Sequence, residues 1–231
     1  MNSKIILALD TKDFSEANSW ITATRESIAY YKIGLELFLK IGAEGTRKLV
    51  SENNIKIFLD LKLHDIPNTV GQAVASVVEL NPAFLTVHAS GGPEMIRSAV
   101  ANANQTSITA VTILTSLSDS DLKLIGYKED SFVSAVQLAK LAVAAGATSI
   151  VCSPKEVAEI RKAVGESVIL ITPGVRPSDS ELGDQKRAAT PQDAIKNGAN
   201  FVVIGRPISS FANTSLSAMG QRAAEIKASI L

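Results

Sequence analysis

Residues 60–65 carry two carboxylates and an amine at a spacing that suits acid–base chemistry. The residues before Asp60 are apolar enough to form a buried β-strand. Because side chains alternate between the two faces of a strand, Asp60 and Lys62 are predicted to point the same way, with Cα atoms roughly 6–7 Å apart. Asp65 follows just beyond the strand. Such charges are costly to desolvate unless they pair, so a structural ion pair is the simpler interpretation of this motif alone.

A second amine, Lys32, lies near the end of the preceding predicted strand. Opposite charges about 4 Å apart interact by roughly 4 kcal/mol at an effective dielectric near 20. Flanking carboxylates should therefore keep Lys62 protonated and suited to donating a proton. Asp60 would repel a substrate carboxylate, while a cation would stabilise a developing carbanion. The set predicts decarboxylation with proton replacement, whereas Schiff-base chemistry would need a neutral amine.

Eight short apolar runs alternate with eight longer amphipathic runs along the chain. This alternation predicts the α/β class and a single (β/α)8 TIM barrel, one catalytic domain over residues 1–231. An open doubly wound sheet is the alternative, but it usually carries a glycine cluster after strand 1, where this chain has Leu9-Asp10-Thr11-Lys12. The predicted strands are 4–10, 29–34, 56–62, 84–89, 109–115, 149–153, 168–172 and 201–205, and the predicted helices are 13–26, 35–52, 67–79, 93–103, 131–145, 155–164, 191–197 and 214–229.

The amino-acid composition limits which binding partners and which cellular compartment are expected for this protein. The chain has 23 Lys and Arg against 23 Asp and Glu, so its zero net charge indicates neither a nucleic-acid partner nor a membrane surface. Its single cysteine, Cys152, excludes an internal disulfide and fits a reducing compartment. The N-terminal apolar run, residues 5–9, is too short for a signal-peptide core or a membrane span. We therefore expect a cytoplasmic protein.

Polar residues recur at the predicted C-terminal strand ends, where barrels of this type carry their chemistry. Glycine lets a backbone approach an anion closely and arginine can bind it with two hydrogen bonds, so the last two strand ends predict a phosphate site. The alternative there is a turn beside a solvated charge. Residues 174–191, which include Gln185, form a long polar loop that is either a lid or a loop without a role. The polar residues at strand ends are Asp10, Lys32, Asp60, Lys62, His88, Thr115, Ser116, Arg176 and Arg206, and Gly205 is the glycine beside them.

Residues 60–70, DLKLHDIPNTV, resemble the signature of the orotidine 5'-phosphate decarboxylase family. Further matching segments follow in family order at residues 7–10, 31–34, 87–92, 114–116, 172–176 and 204–207, so the resemblance covers nearly the whole chain. The short, uninterrupted barrel is similar to the bacterial form. The resemblance implies decarboxylation of orotidine 5'-monophosphate to uridine 5'-monophosphate and CO2 in de novo pyrimidine biosynthesis, with no metal and no organic cofactor.

The resemblance also implies residue roles. Lys62 would donate the proton to the pyrimidine carbon, and Asp60 would stand against the departing carboxylate. The family is homodimeric, and Asp65 and Thr69 would reach into the partner's site. The catalytic set would be Lys62, Asp60, Lys32 and Asp65. The substrate-binding set would be Asp10, Lys32, Asp60 and Thr69 for carboxylate and ribose, Thr115 and Ser116 near the pyrimidine, and Arg176, Gln185, Gly205 and Arg206 for phosphate.

Two alternatives stay open from the sequence. Magnesium-dependent keto-gulonate phosphate decarboxylases and hexulose phosphate synthases share the D-x-K-x-x-D motif, but they place a glutamate ligand after strand 2. This chain has Lys32 there, and an ammonium would repel magnesium. The other alternative is a non-catalytic nucleotide-binding barrel, which would be expected to lose a member of the charged set because unpaired buried charges are costly. All four charges are present.

Overall fold

The computed structural model describes residues 3–177 and 189–230, and its strands form one closed barrel. Each strand pairs in parallel with its neighbours in chain order, and the last strand pairs with the first. This confirms the predicted (β/α)8 architecture. The strands are β1 (Ile5–Ala8), β2 (Tyr30–Gly34), β3 (Ile57–Leu63), β4 (Phe84–His88), β5 (Ser107–Val111), β6 (Ser149–Val151), β7 (Ile169–Thr172) and β8 (Phe201–Ile204).

Ten α-helices are described around the barrel, two more than the pattern predicts. The additional helices, α5 and α9, are short. Ser118 begins α5 with a capping box, in which its hydroxyl accepts from the Asp121 N–H while the Asp121 carboxylate accepts from the Ser118 N–H. The helices are α1 (Phe14–Thr24), α2 (Leu35–Asn53), α3 (Pro67–Val77), α4 (Gly92–Ala101), α5 (Asp119–Leu124), α6 (Ser131–Ala144), α7 (Val157–Val164), α8 (Pro191–Lys196), α9 (Arg206–Ser209) and α10 (Leu216–Ile230).

None of the helices in these two described ranges combines the length and the apolar character needed to cross a lipid bilayer.

Apolar residues form two separate cores because the strands are covered on both faces. The larger core lies between the outward strand faces and the helices and includes Leu7, Ile33 and Leu59. The smaller core fills the barrel interior, and its aromatic rings pack edge to face. The Phe84 ring lies 5.0 Å from Tyr30 and 5.8 Å from Phe58, centroid to centroid. These rings form a solid floor beneath the C-terminal rim.

The prediction for the fifth strand, residues 109–115, is wrong in its position. β5 runs from Ser107 to Val111, where its pairing with both neighbours ends, at His88 of β4 and at Val151 of β6. After one further bond from the Thr112 N–H to the Val151 carbonyl, the chain leaves the sheet. Residues 115 and 116 therefore lie in a turn above the rim instead of at a strand end.

Candidate active site

A bulge at the end of β3 determines how the central charges are presented. Leu59 pairs with Leu85 and Leu63 pairs with Val87, so three β3 residues lie opposite a single β4 residue. Within the bulge Lys62 adopts a left-handed backbone with φ of 49°, a conformation that costs a residue with a side chain about 1–2 kcal/mol. Bulges next to active sites re-aim side chains. The bulge leaves Lys62 directed at the carboxylate two residues before it.

Four charged side chains form a continuous alternating array at the rim. The Lys62 Nζ donates to Asp60 Oδ1 at 2.8 Å, and the Lys32 Nζ lies 3.5 Å from Asp60 Oδ2. The same Lys32 Nζ lies 3.5 Å from Asp10 Oδ1. Three strand ends, those of β1, β2 and β3, thus contribute to one network. The predicted proximity of Asp60, Lys62 and Lys32 is present in the structure.

Asp60 is the most buried member of this array, with 9% of its surface exposed. Burial alone would raise the pKa of its carboxyl group. The charges of Lys32 and Lys62, with hydrogen bonds from Lys62 and Thr86, outweigh burial and hold the Asp60 pKa below its usual value. Asp60 is therefore ionised at neutral pH.

Asp65 and Thr69 lie apart from the array. Both side chains are exposed, and the Asp65 Oδ1 accepts the N–H of Ile66 at 2.6 Å. Among residues 3–177 and 189–230, Asp65 forms no ion pair with Lys32 or Lys62. Within a single chain Asp65 therefore does not join Lys32, Asp60 and Lys62, the three residues with which it was predicted to act. Its role in a partner's site remains a prediction.

A cavity of about 190 Å³ lies above the aromatic floor and opens at the C-terminal rim. Charged groups line one side of it and apolar groups the other, which suits a flat ring with an ionic group at one edge. Thr115 also lines this cavity, whereas Ser116 does not. The charged side consists of Lys32, Asp60 and Lys62, and the apolar side includes Phe58, Val111, Ile113, Val151 and Val203.

A larger cavity of about 640 Å³ lies at the opposite, N-terminal mouth of the barrel, next to Tyr30, Lys56 and Phe201. None of the predicted site residues lines it. In TIM barrels that face serves stability, so size does not decide between the two cavities. The paired charges assign the site to the C-terminal cavity.

Cys152 borders the C-terminal cavity but is not a nucleophile. Its side chain is 1% exposed, and burial raises the pKa of the thiol to about 12. A thiol protonated at neutral pH is a poor nucleophile. Cys152 is therefore a packing residue at the edge of the cavity.

The predicted phosphate site adjoins the Asp10 end of the array. A Cβ on Gly205 would lie 3.2 Å from Asp10 Oδ2, so this close approach favours glycine. Arg206 begins α9 and is exposed, and the Arg176 N–H donates to the Ala189 carbonyl at 2.9 Å. Residues 178–188, which include Gln185 and most of the predicted lid, lie outside the described residues.

Thr86 and the pairing of His64 with His88 are site features that the sequence analysis did not identify. The Thr86 hydroxyl donates to Asp60 Oδ1 at 3.1 Å and accepts the Lys62 N–H at 2.8 Å. A polar residue in the apolar run of strand 4 was the available signal. The rings of His64 and His88 lie 5.5 Å apart. Burial, His64 and Lys62 lower the His88 pKa against the opposing effect of Asp60, so His88 is neutral at pH 7.

A closed (β/α)8 barrel with paired charges around a rim cavity defines a TIM-barrel enzyme whose site suits an anionic substrate. Residues 3–218 match the family described as "Orotidine 5'-phosphate decarboxylase / HUMPS family". The chain belongs to this family.

Relatives and solved structures agree with this assignment. The chain is 48% identical over 208 residues to orotidine 5'-phosphate decarboxylase of Thermobifida fusca, covering 90% of this chain and 89% of the relative. It is 42% identical over 216 residues to the enzyme of that name from Wolbachia pipientis, covering 93% and 95%. The crystal structure of orotidine 5'-phosphate decarboxylase from Lactobacillus acidophilus superposes with a TM-score of 0.85 at 32% identity, covering 99% of each chain.

Replacing Asp60 by Asn tests the array through stability. We expect Asp60→Asn to lower the free energy of unfolding at pH 7 by about 1–3 kcal/mol, because a neutral amide removes the carboxylate that both amines contact and leaves Lys32 with only Asp10 as a counter-charge. The folded-state pKa lies below the unfolded value of about 3.9. The difference should therefore be constant above about pH 4 and shrink as the pH falls through the folded pKa.

Urea unfolding at fixed protein concentration between pH 7 and pH 3 measures this difference. Glu44→Gln is the matched control, since the Glu44 side chain is 87% exposed and its loss should change stability by no more than about 0.5 kcal/mol. Equal stability of Asp60→Asn and wild type at pH 7, or a difference that widens in acid, would contradict the described array.

Proposed function

We propose that this protein decarboxylates orotidine 5'-monophosphate to uridine 5'-monophosphate and CO2 in de novo pyrimidine biosynthesis. The observation that carries the proposal is the ionised Asp60 held between Lys32 and Lys62 at the wall of the rim cavity. Family membership and relatives named orotidine 5'-phosphate decarboxylase support the same reaction. We propose that the reaction needs neither a metal nor an organic cofactor. We also propose that the enzyme is cytoplasmic and that its whole chain forms one catalytic domain.

In the proposed reaction the pyrimidine ring lies against the apolar wall with its carboxylate facing Asp60. Repulsion from Asp60 disfavours the bound carboxylate, and the ring–carboxylate bond breaks as CO2 leaves. The bonding electron pair stays on the ring carbon, where the Lys62 ammonium stabilises it and then transfers a proton to it. Lys62 is left neutral and regains its proton from solvent.

The remaining predicted residues hold the nucleotide. We assign Asp10, Lys32 and Thr69 to the ribose hydroxyls, and Thr115 and Ser116 to the neighbourhood of the pyrimidine. Support for the phosphate end comes from the placement of Gly205 and Arg206 at the start of α9, where a glycine backbone can approach an anion and an arginine can bind it. The phosphate-binding set is Arg176, Gln185, Gly205 and Arg206.

A homodimer is part of this proposal, with Asp65 and Thr69 completing the partner's site. Two features of the single chain support it. Asp65 and Thr69 are exposed and lie outside their own chain's array. Ile66, between Asp65 and α3, is 66% exposed, and a large apolar side chain in that position favours burial against another surface. The balanced surface charge suggests neither nucleic acid nor membrane as a further partner.

The magnesium-dependent alternative within the same barrel superfamily has less support. Lys32 Nζ lies 3.5 Å from both Asp10 and Asp60. A divalent cation bound by those carboxylates would be next to this ammonium and would be repelled. A nucleotide-binding barrel without turnover would have no use for the strained backbone at Lys62.

We expect purified, chelator-treated protein to convert orotidine 5'-monophosphate to uridine 5'-monophosphate. The measurement is the loss of substrate absorbance, with product identified by chromatography and turnover repeated after magnesium is added. Equal rates with and without magnesium are the expected result. Activity that appears only with magnesium and a keto-gulonate phosphate would favour the alternative, and nucleotide binding without turnover would favour a non-catalytic barrel.

The shared site can be tested with mixed dimers. Lys62→Ala and Asp65→Ala should each be nearly inactive, but a hybrid dimer of the two has one intact site and one doubly altered site. Random mixing in equal amounts should make about half of the dimers hybrids, because both variants carry the same two-fold interface. Each hybrid has one intact site of two, so about a quarter of the wild-type sites should be restored. Mixing Lys62→Ala with Asp60→Ala is the control, since both residues belong to one chain's array and no intact site forms. Failure of the first pair to recover activity would contradict the shared site.

A further inference from the structure

Thr86 occupies the one β4 position opposite the β3 bulge. The pairing of β3 with β4 skips from Leu59–Leu85 to Leu63–Val87, and Thr86 is the β4 residue left between these pairs. It is fully buried in the barrel and does not line the rim cavity. Its side chain therefore lies beneath the charged array and would not touch a substrate.

The Thr86 hydroxyl joins the two central groups of the array. As a donor it bonds Asp60 Oδ1 at 3.1 Å, and as an acceptor it receives the Lys62 N–H at 2.8 Å. A hydroxyl has one proton to donate, and here that proton goes to the carboxylate. The second bond holds the backbone of Lys62 in its left-handed conformation, where the bulge interrupts the regular strand pairing.

The same Asp60 oxygen also accepts the Lys62 ammonium at 2.8 Å. Thr86, Asp60 and Lys62 thus form a closed ring of three hydrogen bonds: hydroxyl to carboxylate, ammonium to carboxylate, and amide N–H to hydroxyl. Because each bond limits the movement of the other two groups, the ring fixes the direction of the ammonium relative to the carboxylate. Proton transfer is sensitive to that direction, since misplacement of a reacting group by about 1 Å can reduce a rate 100-fold.

We propose that Thr86 is a positioning residue for the decarboxylation, whose hydroxyl fixes the Lys62 backbone and the Asp60 carboxylate relative to each other. This inference rests on the proposed function. Thr86 acts through its two partners and has no contact with the reacting atoms.

Thr86→Val removes the hydroxyl at nearly constant shape, leaving the Lys62 N–H unpaired and taking one donor from Asp60. We expect kcat to fall about 10- to 100-fold. KM should change less than about threefold, because Thr86 does not line the cavity. Loss of a hydrogen bond to the ionised carboxylate raises the Asp60 pKa, so the acid limb of kcat/KM should move to higher pH. Thr86→Ser, which keeps the hydroxyl, should retain kcat within about threefold.

The matched control is Thr109→Val, the same change at a buried barrel threonine in β5. Its hydroxyl bonds the Ser149 hydroxyl at 2.6 Å and has no bond to the charged array. We expect wild-type kcat and an unmoved acid limb in this control. Wild-type turnover is measured first: without it the proposed function fails, whereas turnover with equal kcat in wild type and Thr86→Val overturns only the role of Thr86.

Folding is checked by circular dichroism and by calorimetric binding of uridine 5'-monophosphate. If Thr86→Val does not fold, Thr86→Ala provides the second variant that lacks the hydroxyl. A folded, nucleotide-binding variant with reduced kcat and a shifted acid limb supports the inference. Unfolding of both variants, or an equal loss of kcat in Thr109→Val, would overturn it, because the effect would then be one of barrel stability.

Discussion

The site depends on keeping one buried carboxylate ionised. Removing Asp60 from water disfavours its charge, and the structure offsets this cost with an ammonium at each carboxylate oxygen and a hydroxyl from below. The arrangement serves two purposes at once. In the proposed reaction the negative charge opposes a substrate carboxylate, and the same carboxylate accepts a hydrogen bond from the Lys62 ammonium at 2.8 Å, which holds that group in place for the step that follows.

The barrel provides this arrangement by keeping its packed aromatic interior separate from the charged C-terminal rim. Edge-to-face rings of Tyr30, Phe58 and Phe84 close the interior below the site, so the charged groups stand on a rigid floor. Above that floor β1, β2 and β3 each contribute charged groups, while β5, β6 and β8 contribute apolar ones. The strain at Lys62 is confined to a bulge between two regularly paired strands, where the surrounding ladder holds it in place.

Much of the fold could be predicted from the sequence because it depends on the periodicity of apolar residues along the chain. Alternating apolar and amphipathic runs predicted the barrel. Strand alternation predicted that Asp60 and Lys62 share a face, but in the structure it is the bulge, not regular alternation, that directs Lys62 at Asp60. The bulge could not be predicted, since it concerns pairing between two strands and leaves no local pattern. Thr86 could have been noticed as a polar residue in the apolar run of strand 4, but its importance could not, because that comes from its position opposite the bulge.

The other differences between the predicted and the observed elements also have physical causes. β5 ends early because both of its neighbours, β4 and β6, end opposite Val111, which the β5 residues themselves do not encode. The short helix α5 could have been found from its capping box, Ser118 to Asp121. The direction of Asp65 could not be inferred from spacing, because it follows the last residue of β3, where alternation no longer applies.

The proton donor is the central claim, and Lys62→Ala tests it most directly. The measurement is decarboxylation at saturating orotidine 5'-monophosphate, with the affinity for uridine 5'-monophosphate determined by calorimetry on the same preparation. Lys12→Ala, whose side chain is 75% exposed, is the control for loss of an amine. The account predicts that Lys62→Ala loses about 10²- to 10⁴-fold in turnover while product affinity changes less than about tenfold. Turnover within a few-fold of wild type at unchanged product affinity would contradict it.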